Sequence, residues 1–142
     1  GAVRVIDFTH YGFPSTSQCP SQEILGLAAD IRASLLEDDP EFIVYEIADG
    51  VLQRETKILL EDPQFRSTID AVLFSGADSI SCEGGIRYLK SLGYNVVAAA
   101  GIVSNSRLGM SEVQAATGVP CLSGQMILNG DLKKALQVAS SA

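Results

Sequence analysis

The stretch AVLFSGADSISCEGGIRYLKSLGYNVVAAAGIVSNS, residues 71–106, decides the predicted fold class of this chain. An apolar run leads into small and polar residues, and Cys82, Ile86 and Leu89 then follow at helical spacing. Gly93 stands where a left-handed residue often ends a helix, just before a second apolar run, VVAAA. This strand–helix–strand order predicts two parallel strands joined by a crossover helix.

The same alternation continues on both sides of this stretch. The predicted strands are nearly continuous apolar runs, as expected for strands covered on both faces; they lie at about 3–8, 42–48, 70–75, 95–103 and 119–123. Helices are predicted from Ser21, which would cap the first one, to the stop at Asp38-Asp39-Pro40, then at 55–60, at 111–117 and from Asp131 onward. We therefore expect one α/β domain over 1–142, a three-layer Rossmann-like fold whose mainly parallel sheet has about five strands flanked by helices.

Composition and charge favour a soluble α/β protein of the cytoplasm. Of the 142 residues, 46% are hydrophobic and 19% are charged, which is typical of a globular chain. The net charge of −7 repels nucleic acids and anionic membrane surfaces. The longest apolar stretch, around 96–103, is far short of the roughly 18–20 residues of a bilayer span. Three cysteines without a close pair predict neither a disulfide framework nor a zinc site.

Polar and acidic residues close every predicted strand. Because ligands bind at the carboxyl ends of parallel strands, this pattern predicts a small-molecule or metal-ion site at one edge of the sheet. The strand-closing residues are Asp7, Glu46, Asp49, Ser75, Asp78, Ser104, Asn105, Ser106 and Ser123.

The loop after the first predicted strand is about twice the usual length of a βα loop, roughly 2–6 residues. It reads DFTHYGFPSTSQCP over 7–20 and contains His10, the single histidine, together with Ser15 and Thr16. Long loops of this kind often carry function. The ordinary structural explanation is a surface loop around a Gly-Phe-Pro turn.

Three carboxylates form the predicted metal site. Asp7, Glu46 and Asp49 close the first two predicted strands, and hard cations such as Mg²⁺ take oxygen ligands. Crowded carboxylates repel each other, so a cation or a basic partner is expected, and Arg54 is the nearest basic residue in sequence. The alternative is an ordinary strand end at Glu46 followed by an Asp-Gly turn.

Two further segments could contact a nucleotide. In SGADSISCEGG, 75–85, backbone amides could face an anion at a helix start, although a capped helix with small packing residues explains the segment better. In SNS, 104–106, Asn105 and the serines beside it could recognise a polar ring or a ribose; the alternative is a helix cap with a turn. The motifs G-x-G-x-x-G, G-x-x-x-x-G-K-[ST] and G-x-S-x-G are all absent from the sequence.

The order of these strand ends resembles the later part of P-loop nucleotide-dependent enzymes of the dethiobiotin synthetase and cobyrinic acid amidating type. IVYEIADG, 43–50, is similar to the element that supplies a Mg²⁺ ligand in that family, with Glu46 in the ligand position. Asp7 in VIDFT resembles the acidic residue that follows the strand after the P-loop helix. VSN, 103–105, resembles the stretch ending in Asn that contacts the nucleotide base, here Asn105.

This resemblance implies Mg²⁺ and ATP as cofactors and ATP-dependent ligation or phosphoryl transfer on a small anionic metabolite. The family carries its phosphate-binding loop on an earlier strand, so the resemblance implies that this chain is the C-terminal portion of such a domain. The predicted nucleotide contacts are Asn105, Ser104, Ser106, Ser15 and Thr16, and the predicted metal ligands are Asp7, Glu46 and Asp49.

Two other functions fit the sequence. A self-contained Rossmann-like domain that binds a ligand or a partner without catalysis explains the missing P-loop. A receiver domain is a special case, but receivers carry paired acids after the first strand and a Lys after the fifth, where this chain has Asp7 alone and Ser123. The third hypothesis is a structural or oligomerisation module that forms a homo-oligomer through an exposed sheet edge.

Overall fold

The structure is a computed structural model that describes Ala2 and residues 4–139, with side chains described to Gln137. Its residues group into two compact units, Gly1–Thr68 and Ile69–Ala142. In the described part of the chain, no helix is long and apolar enough to cross a membrane.

The first unit is built around three helices. They are α1 (Ser21–Leu36), α2 (Arg54–Glu61) and α3 (Pro63–Arg66), preceded by a 3-10 helix at Phe8–Tyr11. The first two helices pack together, with Ile24 and Leu27 of α1 and Leu60 of α2 buried.

The N-terminal cap of α1 differs from the one predicted. Ser21 is the first residue of α1 rather than its cap, because Pro20 occupies the cap position and makes no side-chain cap bond. The second helix, α2, ends at Glu61, directly before Asp62 and Pro63. The Asp62 Oδ1 atom then accepts a hydrogen bond from Phe65 N at 2.7 Å and caps α3.

The second unit contains the strands. The elements in order are β1 (Val72–Ser75), α4 (Ser79–Ser91), β2 (Val96–Ala100), a 3-10 helix (Ile102–Asn105), α5 (Arg107–Thr117), α6 (Gly124–Leu128) and α7 (Asp131–Ala139). β1 and β2 are parallel, and Ala99 of β2 also forms a parallel bridge with Cys121. All of β2 is buried, and both α4 and α7 contact it.

Periodicity predicted α4, the C-terminal part of α5 and the start of α7 correctly, but not α6. Cys82, Ile86 and Leu89 are the buried face of α4, and Gly93 has a φ of 89°, as a left-handed residue after a helix should. Gly118 ends α5 in the same way, with a φ of 73°.

The predicted five-stranded Rossmann-like sheet is wrong. The described residues form seven α-helices and a two-stranded parallel sheet, and the predicted strand at 119–123 is reduced to the single bridge at Cys121. The other two predicted strands form neither strand nor helix over 4–7 and 42–48; Phe8 begins the 3-10 helix, and Val3 lies outside the described residues.

The physical reason is that an apolar run favours an extended backbone, but a strand exists only where a neighbour supplies hydrogen bonds. The first run is held by a side chain: Arg4 Nη1 donates to the carbonyl of Ser34 at 2.9 Å and to the carboxylate of Asp38 at 3.3 Å. In the second run, Tyr45 packs edge-on against Phe65 with ring centroids 5.6 Å apart. No backbone hydrogen bond pairs either run with another described segment, and Val44 stays 87% exposed.

Candidate functional site

The predicted site residues fall in both units. The first unit contains Asp7, Ser15, Thr16, Glu46 and Asp49, and the second contains Ser104, Asn105 and Ser106.

Asp7 is the cap of the 3-10 helix that opens the long loop. Its Oδ1 atom accepts from Thr9 N at 2.9 Å and from Thr9 Oγ1 at 2.5 Å, and it lies 3.0 Å from His10 Nδ1. The hydrogen bond from the Thr9 hydroxyl, followed by the His10 contact, lowers the pKa of Asp7 below its usual value. Asp7 is therefore an exposed carboxylate that stays ionised at neutral pH, with all three contacts on one oxygen.

A buried carboxylate fastens the far end of this loop. Glu55, in the first turn of α2, is only 8% exposed, and its Oε1 atom accepts from Gln18 N at 2.7 Å and from Arg54 Nη1 at 3.0 Å. The bond from the Gln18 amide is the main reason that the pKa of Glu55 is lowered. Arg54 also donates to the carbonyl of Cys19 at 3.1 Å.

Sequence reasoning missed Glu55 because it paired Arg54 with the predicted metal carboxylates. The detectable signal was an acidic residue in the first helical turn, where the helix dipole and free amides favour negative charge. In the structure Arg54 and Glu55 together hold the loop at Gln18 and Cys19, and Gln18 has a left-handed φ of 63°.

Ser15 and Thr16 lie in the tethered part of the loop. The Ser15 Oγ atom accepts from Ser17 N at 3.0 Å, and the carbonyl of Thr16 accepts from Cys19 N at 3.2 Å. These bonds form a local turn that fixes the backbone at both residues. The Ser15 side chain is exposed, whereas Thr16 is half-buried.

Glu46 and Asp49 lie on the extended segment before α2. Both are exposed, and neither makes a hydrogen bond or ion pair with another described residue. Within the described ranges, no three His, Cys, Asp or Glu side chains cluster in a way that could hold a metal ion. Mg²⁺ is commonly held by one or two carboxylates, with substrate phosphates and waters completing its shell, so single carboxylates of this kind have suitable donor chemistry.

In the second unit, Ser104 and Asn105 end the 3-10 helix that follows β2, and Ser106 comes next, at the carboxyl end of the two parallel strands. Ser104 Oγ donates to the carbonyl of Gly101 at 2.7 Å, and Ser106 Oγ accepts from Gly109 N at 3.3 Å as the cap of α5. The Asn105 side chain is exposed and has no hydrogen-bond partner among the described residues. Its amide is thus available to a ligand while the two serines fix the turn around it.

The strands meet closely at this edge. Gly76 N donates to Ala100 O at 2.9 Å, and Val103 N donates to Gly76 O at 3.2 Å. Gly101 has a φ of 98°, and a Cβ atom there would lie 2.6 Å from Gly76 O. Only glycine fits at 101, so the position of the 104–106 turn depends on this residue.

The segment from 75 to 85 forms a capped helix start. Asp78 Oδ1 accepts from Ser81 N at 2.7 Å, and Ser81 Oγ lies 3.1 Å from Asp78 N, which completes a capping box. These bonds from Ser81 lower the pKa of Asp78. The structure thus favours the packing explanation of this segment over an anion site.

The two buried cysteines are poor nucleophiles. Burial raises the pKa of Cys82 and of Cys121, and the neighbouring Cys121 raises that of Cys82 further. A thiol with a raised pKa carries little thiolate at neutral pH.

Comparison of the chain with protein-family models, curated proteins and solved structures gave no significant match.

Proposed function

We propose that this chain is part of a P-loop nucleotide-dependent protein that acts with Mg²⁺ and ATP on a small anionic metabolite. The observation that carries the proposal is the unpartnered Asn105 amide, which ends the 3-10 helix that follows the buried strand β2. Ligands of open parallel sheets bind at this end of the strands. The β1–α4–β2 unit supplies that geometry in the second unit of the chain.

Asn105 contacts the nucleotide base in this proposal. Its amide offers both a donor and an acceptor, as the edge of a purine requires. Ser104 Oγ uses its hydrogen on Gly101 and can still accept, whereas Ser106 Oγ accepts from Gly109 and can still donate. The two serines therefore each keep one hydrogen-bonding capacity for a base or a ribose.

Asp7, Glu46 and Asp49, all in the first unit, are the candidate ligands of Mg²⁺, and each would serve as a single carboxylate ligand, because no three acidic side chains cluster among the described residues. When bound, the ion would neutralise negative charge on an anionic group beside it. Asp7 is ionised at neutral pH and keeps one carboxylate oxygen free of protein contacts among the described residues. Glu46 and Asp49 are exposed and unpaired, so a cation would meet no competing ion pair.

Ser15 and Thr16, in the first unit, would contact the anionic substrate. The loop that carries them is held at Asp7 by its cap and at Gln18 by Glu55. A loop fastened at both ends presents its hydroxyls with little loss of conformational entropy on binding.

Titration calorimetry of ATP in the full-length protein, with and without Mg²⁺, tests the proposal. We expect Glu46→Gln to abolish most of the Mg²⁺-dependent gain in affinity. Asn105→Ala should weaken binding by about two- to tenfold in either condition, since one neutral hydrogen-bonding group contributes about 0.5–1.5 kcal/mol.

The matched controls are Glu41→Gln, an exposed carboxylate on the same extended segment, and Asn129→Ala, an exposed amide beside α6. Both should bind Mg-ATP like the unaltered protein. Unchanged affinity in Glu46→Gln would refute the metal assignment, and unchanged affinity in Asn105→Ala would refute the base contact.

A further inference from the structure

The second unit exposes three aliphatic side chains at the carboxyl end of its parallel strands. Ile80 is the second residue of α4, Ile102 begins the 3-10 helix after β2, and Leu108 is the second residue of α5. They are 79%, 70% and 68% exposed, whereas Cys82 and Val103 beside them in sequence are buried. We call Ile80, Ile102 and Leu108 the aliphatic edge.

Contacts between the three segments bring these residues to one place. Val103 N donates to Gly76 O at 3.2 Å, which joins the 3-10 helix to the end of β1. A Cβ atom on Gly109 would lie 2.9 Å from Val103 O, and one on Gly76 would lie 3.3 Å from Ser81 Oγ. The starts of α5 and α4 therefore meet the same backbone contact. Each residue of the aliphatic edge is next in sequence to Ser81, Val103 or Gly109, so the three surround one spot.

Asn105 lies at the end of the same 3-10 helix, three residues after Ile102. Its exposed amide has no hydrogen-bond partner among the described residues and offers both a donor and an acceptor. A purely apolar ligand would leave this amide unused, and a purely polar one would leave the aliphatic side chains in water. A flat heteroaromatic ring uses both, because its edge forms hydrogen bonds and its faces stack on apolar groups.

The charges beside the aliphatic edge balance each other. Asp78, two residues before Ile80, caps α4 as an ionised carboxylate, and Arg107 carries a positive charge next to Leu108. A neutral ligand therefore meets no net local charge, and exposed aliphatic side chains that lie together often mark a binding site.

We propose that the aliphatic edge and Asn105 bind a neutral purine nucleoside, with the base lying on Ile102 and Leu108 and its edge on the Asn105 amide. Adenine suits this amide, because it presents an amino donor beside a ring-nitrogen acceptor. The inference rests on the base contact in the proposed function, but it requires neither Mg²⁺ nor phosphates. The second unit thus supplies the affinity for the nucleoside.

The probe is adenosine, added to the full-length protein in EDTA and observed by saturation-transfer difference NMR. We expect saturable transfer, strongest at H2 and H8 of the base, with a dissociation constant of about 0.1–10 mM for a small ligand on an open surface. Ribose 5-phosphate lacks a base, so it should neither receive saturation nor displace adenosine.

Two variants locate the base. Ile102→Ser and Leu108→Ser should each weaken adenosine binding by about three- to tenfold, because each removes aliphatic surface that the base covers. Both side chains are exposed, so serine should leave the fold intact, which circular dichroism checks. The matched control is Val44→Ser, at a strongly exposed aliphatic residue of the first unit, which should bind adenosine like the unaltered protein.

The same variants titrated with ATP and Mg²⁺ separate this inference from the proposed function. If adenosine binding depends on Ile102 and Leu108 while ATP with Mg²⁺ binds no better than adenosine, the inference stands and the P-loop function fails. If ATP binds but neither serine variant changes its affinity, or if adenosine shows no saturable transfer, the inference is overturned and the proposed function stands.

Other occupants of the aliphatic edge give different results. Binding of ribose 5-phosphate that Arg107→Gln abolishes, without transfer to adenosine, would indicate an anion site. A dimer in sedimentation equilibrium that Leu108→Ser dissociates, again without transfer to adenosine, would show that the edge faces a second copy of the chain. Either result overturns the proposal.

Discussion

Glu55 shows how a residue without a recognisable motif can position a loop. Its carboxylate is buried and accepts two hydrogen bonds. One comes from the backbone amide of Gln18 in the long loop, and the other comes from the neighbouring Arg54. Charge-assisted bonds of this kind keep the carboxylate ionised. The loop that carries Ser15 and Thr16 therefore depends on the charge of Glu55.

We predict that this tether is lost in acid. The pKa of Glu55 is lowered in the folded chain, so its stabilising effect is complete above the ordinary value of 4.5 and disappears as the pH falls through the lowered value. Hydrogen exchange of the Gln18 amide, followed by NMR from pH 7 to 3, should show constant protection above pH 4.5 and falling protection below it. In Glu55→Gln the protection should be lower and independent of pH.

The control for this prediction is Glu112→Gln, which changes an exposed carboxylate on α5. It should reproduce the profile of the unaltered chain. Protection of the Gln18 amide that stays constant down to pH 3 would contradict the account of the tether.

The sequence indicated some site residues and not others. Asp7 and Asn105 stand out because they close apolar runs, which is a local signal. Glu55 acts through a hydrogen bond with Gln18, which lies 37 positions away in the chain. Its place in the first turn of a helix is a local signal, but no local pattern shows that Gln18 is its partner.

At the scale of elements, α4 packs closely against β1 at Gly85. A Cβ atom on Gly85 would lie 2.2 Å from the ring of Phe74, whereas one on Gly84 would meet nothing within 4 Å. Adjacent glycines of one helix therefore have opposite roles. Gly85 allows close packing against the strand, and Gly84 only weakens the helix.

We predict that alanine at these two positions changes stability in opposite directions. Gly85→Ala should lower the free energy of unfolding by roughly 1–3 kcal/mol, because the ring of Phe74 must move. Gly84→Ala should raise it by roughly 0.5–1 kcal/mol, because the exposed helix position accepts a side chain without strain. Urea unfolding followed by circular dichroism measures both, and destabilisation by Gly84→Ala would contradict the packing described for α4.

The longer helices and the parallel pair β1–β2 were predictable from sequence, whereas a five-stranded sheet was predicted and is not formed. Helical spacing is a property of a single segment, so Cys82, Ile86 and Leu89 predicted the buried face of α4 correctly. A strand depends on a second segment, and the sequence cannot show whether that partner is in place. The run at 42–48 is apolar and β-branched, yet it stays unpaired, and Phe42 remains 75% exposed.

At the scale of the whole molecule, each unit presents a different kind of chemistry. The first unit has the ionised Asp7 and the tethered loop. The second has the parallel strands and the Asn105 turn. A net charge of −7 means that an anionic ligand gains little from long-range attraction, so its binding depends on local donors and on a cation.

The most direct test of the nucleotide proposal is photolabelling of the full-length protein with 8-azido-ATP and Mg²⁺, followed by trypsin and mass spectrometry. Cleavage after Lys90 and Arg107 releases the peptide SLGYNVVAAAGIVSNSR, which contains Asn105. The proposal predicts label on this peptide, and an excess of unmodified ATP should remove it. Label found only on other peptides, or label that ATP does not displace, would contradict the assignment of the nucleotide base to the end of β2.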